Sequence, residues 1–396
     1  MRLSAVFTSL ALLVAPILAA PTTLLEVHSF AGETSGRHIV QLKATASKDA
    51  HLEWFDSVRT TGSSVTHADW DAEFLNGYAG QFDVATLNML RASPDVESIE
   101  EDGIMHTTAF TTETNAPWGL ARLSQAGRVS GTDTALNHAY TYDTAGGAGV
   151  DVYVVDTGIN TAHTDFGGRA RLGAVFGSAQ NVDGNGHGTH VSGTVAGTRF
   201  GVAKSASLIA VKVLSDSGSG TVSDIVSGLN FVATSARSSG RPSIATMSLG
   251  GAASTSLDNA VASLTSAGIH VTVAAGNEAQ DASNDSPARA PSANTVGAST
   301  IADAIASFSN FGSVVDIFAP GLDVTSAWIG SNTATNTISG TSMATPHVAG
   351  LIAYYISRNG NQSPAALSSF LKTKATTNAL SGLPSGTGNR LARNDA

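Results

Sequence analysis

Beyond residue 117, hydrophobic positions alternate between short unbroken runs and stretches with helical spacing. Nearly continuous apolar runs occupy residues 150–155, 208–214, 244–249 and 269–275. Such runs are typical of parallel strands buried on both faces. Between them, apolar residues recur with helical spacing, most clearly at Val222, Ile225, Val226, Leu229 and Val232. The alternation predicts an α/β fold, a doubly wound and mostly parallel sheet flanked by helices.

Two helix starts are marked by their own residues. Thr221 stands three positions before Asp224, which is the spacing of a capping pair. Ser363 is followed by Pro364, and proline is favoured at the first position of a helix. We therefore predict helices that begin after Thr221 and after Ser363.

The N-terminal part of the chain has a different pattern and predicts a separate unit. Residues 37–43, 77–83 and 96–100 indicate strands, and residues 49–58 and 84–91 indicate helices, as in a small α+β domain. Residues 105–115, MHTTAFTTETN, have no apolar period and indicate an exposed linker open to proteolysis. We expect a domain at residues 21–108, a second at 109–396, and cleavage between Thr108 and Thr111.

The first twenty residues have the form of a secretory signal peptide. Arg2 precedes an apolar stretch that reaches Leu18 and ends in Ala19 and Ala20. The alternative is a signal anchor that stays in the membrane, but the short stretch and its small terminal residues favour cleavage. The sequence thus predicts a secreted, extracellular protein without a stable membrane anchor.

Composition narrows the chemistry. The 396 residues include no cysteine, which excludes disulfides, thiolate metal sites and a cysteine nucleophile. The net charge of −10 is concentrated near the N-terminus, because residues 21–108 hold 5 basic and 14 acidic side chains and residues 109–396 hold 15 and 17. Neither part has the basic patch of a nucleic-acid-binding protein.

The run SGTSMATPHVAG, residues 339–350, surrounds Ser342 with small residues. A buried helical face follows it, with the i, i+3, i+4, i+7 spacing of Val348, Leu351, Ile352 and Tyr355. Gly340 permits a tight turn before the serine, so the hydroxyl should lie at a helix start, where N–H groups are unpaired. Pro346 must distort this helix and free a carbonyl near Ser342.

A serine becomes a nucleophile only if a base takes its proton and an acid orients the base. Asp156 ends the run VDVYVV, and His187 lies within DGNGHGTHVSGTVAG. Asn277 also follows a predicted strand, in AAGNE. The carboxyl ends of parallel strands meet at one crevice, so these residues are candidates for a shared site with Ser342.

The motifs VVDTGI, HGTHVSGTVAG, SLGG, AAGNE and SGTSMATPHVAG together resemble the subtilisin superfamily. APWGLARLS, residues 116–124, resembles its proteinase K branch. The resemblance covers residues 116–396 almost continuously, and the preceding unit resembles the family's inhibitory propeptide. It implies a serine endopeptidase of broad specificity, made as a self-processing zymogen, with no catalytic cofactor. We expect a monomer that acts on proteins and peptides.

The resemblance also implies roles for particular residues. Ser342 would attack the scissile carbonyl, His187 would transfer the proton, and Asp156 would orient the histidine. Asn277 would donate its side-chain amide to the oxyanion beside the N–H of Ser342. Two backbone edges would pair with the substrate, and they consist of Gly218, Ser219, Gly220, Ser248, Leu249 and Gly250.

The primary specificity pocket is expected between residues 248–250 and Ala274, Ala275 and Gly276. These residues are small or apolar and suit a large hydrophobic side chain. Asp285 falls where relatives carry an uncharged residue, so we hypothesise that it widens acceptance toward Arg or Lys, together with Glu278. The alternative, that Asp285 points into solvent, is favoured because exposed carboxylates usually do so.

By the same resemblance, Asp316 would bind a structural calcium ion with the carbonyls of Pro291 and Ala293. Asp316 is predicted to follow an apolar strand. The alternative to a calcium ligand is an exposed aspartate at the end of that strand. His190, three residues after His187, could suggest zinc, but no third ligand accompanies it, so a structural histidine is favoured. His163 and His347 are interpreted in the same way.

Two other functional classes remain to be weighed. The first is a catalytically silent peptide-binding protein on the same fold, which the presence of all four candidate catalytic residues disfavours. The second is a dinucleotide-dependent oxidoreductase, suggested only by the α/β pattern. Its glycine fingerprint is missing from the first strand turn.

Overall fold

The computed structural model describes residues 24–30, 34–68, 70–104, 110–131, 135–177 and 180–396. The predicted signal peptide, residues 1–20, lies outside the described residues, as do Thr108 and the rest of residues 105–109. The described chain divides into two compact units: the first contains residues 24–29 and 34–102, and the second contains Phe30 and the residues from Gly103 onward.

The first unit is a five-stranded sheet with two helices. Its elements are β1 (Val27–His28), β2 (Thr34–Leu42), α1 (Lys48–Val58), β3 (Ser64–His67), β4 (Gly77–Gln81), α2 (Val84–Ala92) and β5 (Val96–Gly103). The sheet order is β1-β5-β2-β4-β3. Both helices begin at side-chain caps, Ser47 for α1 and Asp83 for α2. All five elements predicted here are present, whereas β1 and β3 were not predicted.

The second unit begins with a run of strands and helices, which include those that carry Asp156 and His187. They are β6 (Phe110–Ala116), α3 (Trp118–Leu123), β7 (His138–Asp143), β8 (Asp151–Asp156), β9 (Ala170–Val175), α4 (His187–Ala196), β10 (Ser207–Lys212), α5 (Val222–Ser239), β11 (Ser243–Met247), β12 (Gly251–Ala252), α6 (Thr255–Ser266) and β13 (His270–Ala274). The predicted capping pair of α5 is confirmed, because Asp224 N–H donates to Thr221 Oγ1 at 3.1 Å.

The remaining elements complete the unit. They are β14 (Asp285–Ser286), β15 (Asn294–Ser299), β16 (Ile317–Pro320), β17 (Val324–Ala327), β18 (Thr335–Ile338), α7 (Thr341–Asn359), α8 (Pro364–Lys374), β19 (Thr376–Thr377) and β20 (Arg390–Leu391). Short 3₁₀ turns lie at Thr164–Phe166 and Ala282–Asn284. The predicted helix after Ser363 is α8, capped by the Ser363 side chain.

The predicted doubly wound sheet is confirmed as a nine-stranded sheet of order β19-β20-β16-β15-β13-β11-β8-β10-β9. Its strand pairs are parallel except for β19 with β20. The strand β8 has β10 on one side and β11 on the other, so the chain changes direction across the sheet at this strand. Ligand sites of open α/β sheets lie at the carboxyl ends of strands at such a point.

The unbroken apolar runs are explained by helices on both faces of the sheet. Along β8, Val152 and Val154 pack with residues of α4 and α7, whereas Tyr153 and Val155 pack with residues of α5 and α6. Successive side chains of a strand point to opposite faces, so both sets must be apolar when both faces are covered.

The predicted exposed linker at residues 105–115 includes most of a strand, β6, whose residues 110–115 are exposed except for half-buried Glu113. The strand β6 pairs antiparallel with β7, with Phe110 opposite Asp143 and Thr111 opposite Tyr142. Threonine is β-branched and favours extended backbone, but the partner strand lies 22 or more residues further along the chain. A polar segment without an apolar period therefore gave no sign that it belongs to a sheet.

Candidate active site

Asp156 and His187 are joined by a short hydrogen bond. Asp156 is the last residue of β8, and His187 is the first residue of α4. The Nδ1 atom of His187 lies 2.8 Å from Asp156 Oδ1 and 3.0 Å from Asp156 Oδ2. The aspartate is fully buried, whereas 25% of the histidine side chain is exposed. The carboxylate is thus shielded from water, and the imidazole can reach a substrate.

Glycine is required at Gly188 because α4 begins very close to the turn after β8. A Cβ atom on Gly188 would lie 2.2 Å from the carbonyl oxygen of Gly158. The residue before the helix, Gly186, has a φ of 103°, in the left-handed region that favours glycine. The glycines around His187 therefore allow the ring to approach Asp156.

The pKa of His187 lies above its ordinary value of 6.5. Burial is the largest influence and lowers the pKa, but it is outweighed by the charge of Asp156, the hydrogen bond to Asp156 and the charge of Asp183. A neighbouring carboxylate favours the protonated ring. The imidazole is consequently a stronger base than an isolated histidine.

Asp183, which the sequence interpretation missed, organises the loop that carries His187. Its Oδ1 accepts hydrogen bonds from Thr157 Oγ1, Asn185 N–H and Gly186 N–H at 2.9, 3.1 and 2.9 Å. Its Oδ2 accepts from Thr189 N–H at 3.0 Å and from Thr189 Oγ1 at 2.6 Å. The signal that could have revealed it is an aspartate just before a glycine-rich helix start.

Ser342 lies in the first turn of α7 and is bonded twice to Ser248. Ser342 Oγ donates to the carbonyl of Ser248 at 3.2 Å, and Ser248 Oγ donates to the carbonyl of Ser342 at 2.8 Å. Pro346 lacks the N–H that would otherwise bond the Ser342 carbonyl. The carbonyl freed by Pro346 is therefore that of Ser342, and Ser248 satisfies it. Within the described part of the chain, no hydrogen bond joins Ser342 Oγ to His187.

Asn277 follows β13 and is oriented by Thr341, a residue that the sequence interpretation missed. Its Oδ1 accepts from Thr341 N–H at 2.8 Å and from Thr341 Oγ1 at 2.9 Å. With Oδ1 held in this way, Nδ2 faces the start of α7. A Cβ atom on Gly340 would lie 3.5 Å from Ser342 N and 3.8 Å from Asn277 Nδ2. The missing side chain of Gly340 thus leaves space beside both donors.

A groove of about 630 Å³ contains both His187 and Ser342. Its walls include all six residues predicted to pair with substrate backbone, namely Gly218, Ser219, Gly220, Ser248, Leu249 and Gly250. Gly218 belongs to a turn with a φ of 80°, so the extended part of that edge starts after it. The apolar side chains in its walls include those of Leu214, Val222, Ile225 and Leu257.

A second cavity, of about 100 Å³, also contains Ser342. It is lined by the predicted pocket residues Leu249, Gly250, Ala274, Ala275 and Gly276, and by Asn277, Glu278 and Asp285. Asp285 Oδ2 accepts from Asn310 Nδ2 at 3.0 Å and from Gln280 Nε2 at 3.1 Å. The favoured expectation that Asp285 points into solvent is therefore wrong, because two buried or half-buried amides hold it in the cavity wall.

The predicted calcium ligands are arranged differently from the expectation. Asp316 directly precedes β16 and does not follow a strand. Its Oδ1 lies 2.6 Å from Lys372 Nζ, and its Oδ2 accepts from Thr295 N–H at 2.9 Å. The predicted set consists of Asp316 and the carbonyls of Pro291 and Ala293, so Asp316 supplies its only carboxylate. Both oxygens of that carboxylate already have a partner. A calcium ion at this carboxylate would have to displace Lys372 Nζ from Oδ1.

The other histidines are scaffold residues, as predicted. The rings of His163, His190 and His347 lie within 2.8, 2.9 and 2.8 Å of backbone carbonyl oxygens. Burial lowers the pKa of His190 to about 3 and that of His347 to about 4. No group of three or more His, Cys, Asp or Glu side chains able to hold a metal occurs among the described residues.

An open parallel sheet that carries an aspartate, a histidine and a serine at one edge defines the class of serine hydrolases. A family model described as the subtilase family matches residues 147–389, and one described as peptidase inhibitor I9 matches residues 37–108. The chain belongs to the subtilase family. It is a serine protease made as a zymogen with an inhibitory propeptide, and it requires no catalytic cofactor.

Similar proteins carry names that agree with this assignment. The subtilisin-like serine protease AsES of Sarocladium strictum is 53% identical over 81% of this chain and 80% of its own length. The cuticle-degrading protease of Metarhizium anisopliae is 44% identical over the whole of both chains. A crystal structure of a cold adapted subtilisin-like serine proteinase has a TM-score of 0.64 at 45% identity, and covers 71% of this chain and 99% of its own.

Proposed function

We propose that the protein is a secreted, monomeric serine endopeptidase in which Ser342 is the nucleophile, His187 the general base and Asp156 the residue that orients it. The observation that carries the proposal is the pairing of His187 with buried Asp156 in the groove that also contains Ser342. For the reaction, Ser342 Oγ must rotate away from the Ser248 carbonyl and toward His187. Such bonds often form only once substrate is bound.

The reaction proceeds in two halves. His187 takes the Ser342 proton while Oγ attacks the peptide carbonyl, and then gives the proton to the leaving amine, which leaves an ester on Ser342. Water, activated by His187, hydrolyses the ester and restores the hydroxyl. In both halves the oxyanion is stabilised by the Ser342 N–H and by Asn277 Nδ2, beside the space that Gly340 leaves free.

The groove suits a peptide bound largely through its backbone. Glycines at 218, 220 and 250 leave the main-chain edges accessible, and a peptide that adds as a strand is recognised with little regard to sequence. The apolar side chains in its walls add hydrophobic contacts. This geometry supports broad specificity on protein and peptide substrates.

We place the processing site between Thr108 and Thr111, next to the start of β6. The pairing of β6 with β7 supports this position, because cleavage before or directly after Phe110, the first residue of the strand, leaves the rest of its pairing intact. The Arg358 guanidinium also lies 5.0 Å from the Phe110 ring centre and holds the strand's first residue. The domains are then a signal peptide at 1–20, an inhibitory propeptide at 21–108 and a peptidase at 109–396. No helix among the described residues is long and apolar enough to cross a membrane.

A single comparison tests the proposal. The wild type and Ser342→Ala are expressed for secretion, the N-terminal residue of each product is determined, and both are treated with a fluorophosphonate. We expect the wild type to begin between residues 109 and 111 and to be labelled, and the variant to keep its propeptide and stay unlabelled. Labelling of the variant would contradict the role of Ser342. An unlabelled, correctly folded wild type would instead support the catalytically silent alternative.

Calcium at Asp316 is a separate proposal, because it must compete with Lys372 for the same carboxylate. We expect Lys372→Met to make the melting temperature more dependent on calcium. Relative to wild type, the loss on adding chelator should grow by about 5 °C. The control is Lys374→Met, since Lys374 lies over the Phe370 ring and not at Asp316. Equal chelator effects in all three proteins would exclude competition, and no effect in any of them would exclude calcium here.

A further inference from the structure

The cavity beside Ser342 carries negative charge on walls that are otherwise small and apolar. Glu278 and Asp285 both line it, together with Ala274, Ala275 and Gly276. When a peptide is attacked by Ser342, the side chain that enters this cavity therefore comes close to two carboxylates. Carboxylates in such a position favour a cationic guest and disfavour an apolar one.

The two carboxylates converge on one neutral amide. Asn310 Nδ2 lies 2.9 Å from Glu278 Oε2 and 3.0 Å from Asp285 Oδ2, and it also donates to the Ala275 carbonyl at 3.0 Å. Its NH₂ group has two hydrogens for these three acceptors. Glu278 Oε2 receives one further bond from Asn277 N–H at 2.8 Å, and Asp285 Oδ2 one from Gln280 at 3.1 Å.

Asn310 fixes this arrangement because its side chain is itself fully buried. Its Oδ1 accepts from Glu278 N–H and from Gln280 N–H, both at 3.0 Å. The same amide therefore positions the backbone that carries Glu278 and the side chains of both acids. Asp285, which is partly buried, and Glu278, which remains exposed, are thus each oriented by a hydrogen bond from Asn310.

The charge of the pair is left without a counter-ion. The ion pairs found within the described residues include neither Glu278 nor Asp285. All their hydrogen-bond donors are amides, which carry no charge. Two neighbouring carboxylates repel each other, and a cation between them would remove that repulsion as well as gain its own attraction.

We propose that this cavity accepts the side chain of arginine or lysine at the position before the scissile bond, with Asp285 and Glu278 receiving its charge. The inference rests on the proposed function of Ser342 and specifies the substrates of that site. A guanidinium or ammonium group adds donors where the Asn310 amide has too few hydrogens. The small wall residues accommodate the aliphatic stem.

The test compares kcat/KM of the processed protein on two peptide anilides that differ only in ending with Arg or Phe. Measurements are made on wild type, Asp285→Asn, Glu278→Gln and Asp281→Asn, each normalised to active sites titrated with a fluorophosphonate. Asn and Gln keep the size of the side chain and remove one charge. Asp281 is an exposed carboxylate four residues from Asp285 that does not line the cavity.

We expect wild type to cleave both substrates. Asp285→Asn should lower the Arg-to-Phe ratio of kcat/KM about 10- to 100-fold, the range of a charge-assisted hydrogen bond. Glu278→Gln should lower it in the same direction, and Asp281→Asn should not change it. Benzamidine, a small cationic probe, should inhibit wild type competitively and Asp285→Asn more weakly by a similar factor.

The inference is overturned if wild type cleaves the Phe substrate but not the Arg substrate, or if the ratio and the benzamidine inhibition are the same in Asp285→Asn as in wild type. Failure of the proposed function has a different signature. In that case the folded wild type cleaves neither substrate and does not react with the fluorophosphonate. The melting temperature of each variant shows whether it is folded.

Discussion

At the scale of single residues, the site works because polar atoms that would be flexible alone are each held by a neighbour. Asp156 is hydrogen-bonded to His187 Nδ1, and Thr341 donates hydrogen bonds to the side-chain oxygen of Asn277. A side chain fixed before the reaction loses no further freedom in the transition state.

The pH dependence of activity should reflect the raised pKa of His187. Only the neutral ring can take the serine proton, so kcat/KM should rise with pH through a midpoint above 6.5. The measurement is a pH profile of kcat/KM on a Phe anilide. A wild-type midpoint at or below 6.5 would show that burial outweighs the two carboxylates, Asp156 and Asp183.

Asp156→Asn should lower kcat about 10⁴-fold, as the same change does in serine proteases of another fold.

Removing the hydroxyl of Thr341 should reduce turnover through Asn277. Asn277→Ala should lower kcat about 10²- to 10³-fold, a magnitude known from another member of the subtilisin family. Thr341→Val keeps the shape but removes one of the two bonds to Asn277, so it should lower kcat by less and change KM little. In the double variant the second change should cost almost nothing. Additive losses would mean that Thr341 acts independently of Asn277.

At the scale of elements, α7 differs from an ordinary helix in its first turn. The Thr341 N–H is bonded to Asn277, which leaves the Ser342 N–H to stabilise an anion, and Pro346 removes the bond that would close on the Ser342 carbonyl. Ser248, at the end of β11, replaces that bond from a neighbouring element. The nucleophile is therefore fixed by contact between the sheet and the helix.

Because Ser248 supplies the hydrogen bond to the Ser342 carbonyl that Pro346 cannot, the effect of Ser248→Ala on stability should depend on the residue at position 346. Ser248→Ala leaves the carbonyl of Ser342 unpaired and should lower the free energy of unfolding by about 1–3 kcal/mol. Pro346→Ala restores an N–H that can bond the same carbonyl, so Ser248→Ala should cost less in that background. Chemical unfolding of the four proteins, all carrying Ser342→Ala to prevent self-digestion, measures the coupling. Equal costs in both backgrounds would refute the exchange.

At the scale of the whole molecule, the peptidase unit has no disulfide and derives its stability from a sheet buried on both faces. Neutral histidines are part of that interior. His190 and His347 are buried, and their pKa values are lowered to about 3 and about 4. An unfolded chain restores both groups to about 6.5.

Stability should therefore fall on acidification. Below pH 6.5 the unfolded state binds more protons than the folded state, so each histidine costs up to about 1.4 kcal/mol per pH unit until its folded pKa is reached. We expect the melting temperature of the processed protein, inactivated with a fluorophosphonate to prevent self-digestion, to decrease from pH 7 to pH 4.5. Adding His347→Gln, which cannot titrate, should make the decrease smaller. An unchanged slope would assign the acid sensitivity to other groups.

The order of elements and the identity of the reactive residues could largely be predicted from sequence because both depend on local patterns. An unbroken apolar run such as residues 150–155 indicates a strand covered on both faces, and Thr221 with Asp224 marks a helix start. Asp156, His187 and Ser342 lie in short motifs in which glycines and strand ends are adjacent in the chain. Local chemistry and local backbone thus determined the fold class and the candidate catalytic residues.

What only the tertiary structure decided are the contacts between residues far apart in the chain. The strand β6, the two bonds between Ser248 and Ser342, and the Asn310 amide between Glu278 and Asp285 all join separate elements. Lys372 forms an ion pair with Asp316, the carboxylate that was predicted to bind calcium. Such contacts depend on how the elements pack, and no apolar period or short motif encodes the distance between two side chains that packing brings together.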